Sequence, residues 1–336
     1  MPTGMTKVWP EQEGVLEFTP AVYEHAAAFL NRSPWEVSRD GALLADAHIA
    51  AFEHYRHAPV VVGIDIYNVE AEAYGATVVQ PEANLPPSVE ERHCQSLEDL
   101  LALPQLRPEH DGRIPLLLEA AATVRARLPQ AEIRVPLSGP FSVASTLLGF
   151  EPLLFAMLAD PEQSARALAH LARSQSALCH AAAAQGLEVL LFESAAAPPL
   201  LSPTLFRELV LPSLRSVMDD AADALGHSVG CIVGGNTVPI LSSLLEARPS
   251  QLICPMETDR ESFMEVMRSH TGVTVRINTP PEMFLSGPWE RIERELRAAA
   301  ELAGKRPRTL IGTGVLSYET DPALVVRAGE FLRSLG

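Results

Sequence analysis

The chain has 336 residues, 47% apolar and 20% charged, with 26 Lys and Arg against 42 Asp and Glu for a net charge of −16. This length buries a sizeable core as one large α/β domain or two ordinary ones. The acidic balance argues against nucleic acid as a partner, which needs clustered Lys and Arg; a small anionic substrate stays open, because one or two pocket arginines decide that case.

In chain order, the opening "MPTGMTKVWPEQEGVLEF" lacks the basic segment and apolar core of a signal peptide. No apolar run reaches the roughly 18 residues of a membrane span. Cys94, Cys179, Cys231 and Cys254 form no CxxC pair, which indicates neither a disulfide framework nor a zinc ribbon and fits a reducing cytoplasm. Strand-like segments rich in Val, Ile and Leu then recur at 58–65, 132–140, 188–195, 227–235, 251–257, 273–279 and 309–315. Between them lie helical segments such as 160–186, which opens on Asp-Pro and closes on Gly, with similar starts at 202–226 and 288–304.

This alternation predicts an α/β fold, a single (β/α)8 barrel with an N-terminal helical extension: a helical segment over 1–57 and the barrel over 58–336. The eighth strand is expected from "ATVVQPEA" or "GVLEFTPA". Polar or small residues end nearly every strand: Asp65, Ser138, Glu193, Asn236, Glu257, Asn278 and Thr313. In such a barrel those ends converge on one mouth, where chemistry is sited.

Six segments between residues 63 and 322 carry a family resemblance: "GIDIYNVEAEAYGATV", "PLSGPFSVASTLLG", "FESAAAPPLLSPTLFRELVLPSLRSVM", "NTVPILSSL", "RINTPPEMFLSG" and "IGTGVLSYETDP". In this order they resemble the superfamily of uroporphyrinogen decarboxylase and the corrinoid-linked methyltransferases that methylate coenzyme M. The resemblance implies a TIM barrel, often dimeric, so a homodimer is expected, with a corrinoid protein as further partner if the methyltransferase branch applies.

In that branch a His-x-Cys strand end and a Cys in the last strand hold zinc, and the matching positions here are Ile232, Gly234 and Val315. None of these side chains binds a metal. A substitute site from Cys231, Cys254 and Glu257 is weighed against both thiols being core hydrophobes, while His227 sits too early in its strand to join them. No cofactor is expected.

The decarboxylase branch's Arg-x-x-Gly-Arg signature is absent, since Arg32, Arg39 and Arg56 do not form it, and its last-strand histidine is replaced by Thr313. Its catalytic carboxylate corresponds to Asp65. "METDR" at 256–260 also resembles the Glu-Thr-x-Arg strand end of cobalamin-independent methionine synthase.

From the residues themselves, Asp65 is expected to stabilise developing positive charge, or else to cap a turn. Glu193 and Glu257, read as ends of neighbouring strands, suggest an acid and base pair. Arg276 in "VTVRINT" should share a face with Asn278 and clamp a carboxylate. Tyr67, Asn68, Ser138, Phe141, Asn236, Thr237, Met256, Asn278 and Thr313 are expected to line the substrate site. The working expectation is a metal-independent decarboxylase-type lyase on a small carboxylated substrate. The alternatives are a methyltransferase with non-standard acceptor activation and a non-catalytic barrel that binds a ligand or partner.

Overall fold

A computed structural model describes residues 16–335; the N-terminal stretch read above for a leader, through residue 15, lies outside the described residues. Among the described residues ten strands occur in chain order: β1 Phe18–Ala21, β2 Val60–Val61, β3 Val78–Val79, β4 Ser88–Val89, β5 Ile133–Ser138, β6 Glu188–Phe192, β7 Gly230–Ile232, β8 Gln251–Cys254, β9 Thr274–Thr279 and β10 Thr309–Val315. Eight of them form one sheet in the order β1-β10-β9-β8-β7-β6-β5-β2, and every ladder in it is parallel. All seven strand segments expected from the sequence are present.

The eighth strand comes from "GVLEFTPA": Phe18 and Thr19 of β1 register with Ile311 and Gly312 of β10. "ATVVQPEA" instead supplies β3, paired antiparallel with β4 in a separate two-stranded sheet. Its valines are only half-buried, whereas a strand of a parallel sheet is covered on both faces. Because β1 precedes residue 58, the segment before that boundary carries a barrel strand as well as helices Pro34–Ser38 and Gly41–Tyr55.

Side-chain alternation divides two cores. Ile133, Val135 and Leu137 of β5 and Val275 and Ile277 of β9 pack outward against the helices. A separate cluster joins Ala21, Tyr23, Leu190, Phe192, Ile232 and Ile253, with Val61, Ile66 and Tyr67 against it. These residues come from strands or strand ends that are not all sheet neighbours, so they meet only across the inside of a curled sheet. The sheet is therefore a (β/α)8 barrel, with the seam between β1 and β2 lacking a ladder among the described residues.

The helices start where the sequence signals them. Asp160 accepts a hydrogen bond from the Gln163 backbone N–H at 2.9 Å and opens Pro161–Ala184. That helix buries a stripe including Ala167, Leu168, Leu171 and Leu178. Among the described residues no single helix is long and apolar enough to cross a membrane.

Candidate active site

The C-terminal strand ends separate into groups that hold each other and a group that does not. After β2, Asp65 is gripped bidentately by Arg113, Nη1 to Oδ1 at 2.9 Å and Nη2 to Oδ2 at 2.6 Å. Arg113 also donates to the Ser38 carbonyl at 3.1 Å and to Glu72, which in turn accepts from Arg39. Leu44, Ile66, Val69, Leu116, Leu117 and Pro136 line the space around the pair, at the end of β2. The expected charge-stabilising role asks for a free carboxylate at the mouth; here both Asp65 oxygens have a cationic partner.

After β5, the Ser138 backbone N–H donates to Glu70 at 2.7 Å and its hydroxyl to the other Glu70 oxygen at 3.1 Å. Burial raises Glu70 to about 7 against the pull of those hydrogen bonds. Ser138 is thus occupied by the protein itself. Phe141 fills the outer core edge-on to Phe150, with ring centroids 6.1 Å apart.

Glu193 follows β6 and is fully buried. It accepts from the Ser142 backbone N–H at 3.1 Å, near the start of the helix Pro140–Leu148. Burial raises it to about 8, so the neutral acid prevails at neutral pH. Glu193 fills the place a side chain at residue 139 would take: a Cβ on Gly139 would fall 1.3 Å from Oε2. Glu257, by contrast, is exposed after β8, and β7 lies between the two strands. The structure does not bring the expected carboxylate pair together.

Around β7 and β8, the Thr237 backbone N–H donates to Thr258 Oγ1 at 2.8 Å, and that hydroxyl donates to the Gly235 carbonyl at 2.9 Å. Gly235 has φ +73, open to glycine at no steric cost. Asn236 is tied through its N–H to the Pro198 carbonyl at 2.8 Å, while its buried Oδ1 has no partner among the described residues. Cys231 and Cys254 face the outer core, and burial pushes the Cys254 thiol up to about 12. No group of three or more His, Cys, Asp or Glu able to hold a metal occurs among the described residues. Ile232 lines the lumen and Val315 is exposed at the end of β10. His227 sits at the opposite rim beside Glu188, at 3.2 Å.

Inside the barrel, Arg276 and Asn278 share a face as expected: Arg276 Nε donates to Asn278 Oδ1 at 2.9 Å. The Arg276 stem crosses Gly312, where a Cβ would lie 2.6 Å from Cδ. The side chain is buried, and its terminal nitrogens have no hydrogen-bond or ion-pair partner among the described residues. Burial lowers its pKa from the ordinary arginine value; nearby Tyr23 opposes that shift and Arg134 adds to it. Thr313 is held by the backbone, its Oγ1 accepting from Ala21 N–H at 3.1 Å. Tyr67 donates to Ser194, Asn68 donates to the Pro87 carbonyl at 2.6 Å, and Met256 is exposed.

Two lumen residues escaped the sequence reading. Tyr23 stands edge-on to Phe192, centroids 6.0 Å apart, with φ +24. Arg134 of β5 is anchored to Glu132 and to Gln251, both at 2.6 Å. The signal for Arg134 is the one that exposed Arg276: a lone cation inside an apolar strand. Nothing local marks Tyr23.

Among solved structures, the chain is similar to a methyltransferase from Methanosarcina mazei, with TM-score 0.80 and 21% identity over 96% of this chain and 94% of that one. A weaker likeness is to the β-glycosidase from Thermosphaera aggregans, at TM-score 0.46 and 10% identity over 96% and 95%. No curated protein sequence matches. The family model described as uroporphyrinogen decarboxylase (URO-D) matches residues 16–323, nearly the whole described chain, and the chain belongs to that family.

Proposed function

We propose that the chain is a decarboxylase-type lyase that acts on a small carboxylated substrate without a metal ligand set. The observation that carries this reading is the Arg276 guanidinium, buried inside the barrel with its terminal nitrogens unpartnered among the described residues. A planar carboxylate is the group this fork fits. Asn278 fixes the fork through Nε and leaves both terminal nitrogens for the ligand. Ile232, Gly234 and Val315 at the positions matching the methyltransferase branch's zinc ligands support chemistry without that metal.

The experiment is a carboxylate screen on the purified protein, read by release of CO2. Turnover that disappears in Arg276→Met, with the fold intact by circular dichroism, is the expected result. A wild-type protein that neither binds nor decarboxylates any small carboxylate defeats the reading.

Methyl transfer is the second reading, favoured by the likeness to the Methanosarcina mazei methyltransferase. Arg276 would then hold a carboxylate that survives the reaction, with a corrinoid protein as methyl source. Loss of the methyl group from methylcobalamin, with no CO2 formed, selects this reading over the first.

A further inference from the structure

We infer that the substrate is a malonic-type acid, with a carboxylate and a second carboxyl or acyl group on one carbon that also bears an apolar substituent. This rests on the lyase reading and specifies its substrate class. Among the described residues, Arg276 is the lumen guanidinium with both terminal nitrogens free and no carboxylate partner, whereas Arg134 is paired with Glu132 and held by Gln251. One anionic group is neutralised there. In the same lumen, Ala21, Leu190, Phe192, Ile232 and Ile253 build an apolar wall.

A carboxylate against such a wall is unstable relative to water, whereas the CO2 it becomes is uncharged. The wall therefore favours departure of the group that lies on it. The electron pair left behind needs a sink, and a carboxyl on the same carbon supplies one. Charge then grows on the group held by Arg276, so this ion pair is stronger in the transition state than in the ground state. If Arg276 held the departing carboxylate, the pair would weaken along the reaction and oppose it.

The carbon–carboxylate bond breaks, CO2 leaves, and the bonding pair moves into the retained carboxyl as an enediolate. The carbon takes a proton from the Tyr23 hydroxyl, which solvent replaces. Overall, a dianion and one proton give a monoanion and CO2. Tyr23 faces Arg276 electrostatically and is set edge-on to Phe192; its backbone, at φ +24, is held in a conformation rare outside glycine.

The test incubates the protein in D2O with phenylmalonate and methylmalonate, and with succinate as a dicarboxylate lacking the shared carbon. The expected result is CO2 and one deuterium at the carbon that lost it, from the malonates alone. Arg276→Met should lower kcat/KM by about 100-fold or more, and Arg276→Lys, which keeps the charge without the fork, should fall between. Tyr23→Phe should lower kcat and leave KM within about 2-fold. Malonates that bind without losing CO2 overturn the inference. So does Arg276-dependent decarboxylation of other acids with malonates inert, although the lyase reading then survives. No Arg276-dependent binding of any carboxylate overturns both.

Discussion

Arg113 and Arg276 are equally buried, each 8% exposed, yet their surroundings differ completely. Arg113 has Asp65 on both terminal nitrogens, Glu72 on Nε and the Ser38 carbonyl besides. Arg276 has the amide oxygen of Asn278. Since burial is the same, what separates them is compensation. The Arg113 cluster ties the β2 end to the helices behind it, and the fork of Arg276 is left for the carboxylate that the proposed function assigns to it.

That contrast is most sharply tested where compensation is complete. Asp65→Asn leaves the Arg113 guanidinium without its bidentate partner, and breaking a buried pair of this kind costs about 3 kcal/mol or more. Urea unfolding should show that loss, with turnover per folded molecule unchanged. Turnover lost at full stability would return Asp65 to the chemistry and erase the distinction between the two arginines.

Gly312→Ala probes the Arg276 side through packing. The new methyl would meet Arg276 Cδ at 2.6 Å and the Thr19 carbonyl oxygen at 2.5 Å. Overpacking of this sort costs about 1–3 kcal/mol, and the displaced guanidinium should weaken carboxylate binding in the same variant, read by calorimetry. Destabilisation with affinity intact would show that the Arg276 stem does not set the site.

The barrel was legible because its signal is repeated: apolar strands alternate with capped helices, and each repeat restates the pattern. The site was legible only in part. Arg276 and Asn278 stood out because a strand's period of two puts them on one face, and the structure joins them by a hydrogen bond. Asp65 and Ser138 stood out equally, as polar strand ends, yet Arg113 and Glu70 occupy them, while Glu193 has one oxygen on the Ser142 backbone N–H and its other, Oε2, without a partner among the described residues. Those partners lie 48, 68 and 51 residues away in the chain, beyond the reach of any local pattern. The sequence shows which residues are polar, and only the fold shows which are already satisfied.

Removing the uncompensated charge should have the opposite sign to removing a compensated one. Arg276→Met replaces an unpaired buried cation with an apolar chain of similar length, a change expected to be neutral or to stabilise by about 1 kcal/mol. The thermal shift produced by carboxylates in the wild type should vanish. A destabilisation as large as that of Asp65→Asn would mean Arg276 has a structural partner and is not waiting for a ligand.

The last contrast concerns a buried group of the other sign. Glu193 is raised to about 8 by burial, against hydrogen bonds from the Ser142 and Phe141 backbone. Tyr67 and Cys231, which face it electrostatically, are themselves raised by burial and stay neutral over the same range. Because the folded protein keeps a proton that the unfolded chain releases in the ordinary carboxylate range, stability from Glu193 is fully present below that range and is lost as pH rises through about 8. Glu193→Gln preserves the neutral shape and cannot ionise. Its unfolding midpoint should therefore exceed that of the wild type at about pH 9 and approach it at about pH 5. Glu70, raised to about 7 beside Ser138, keeps part of the alkaline slope in both proteins. An unchanged slope in the variant would mean that Glu193 is ionised in the fold, paired with a cation as Asp65 is, and the division between compensated and uncompensated charge would have to be redrawn to include it.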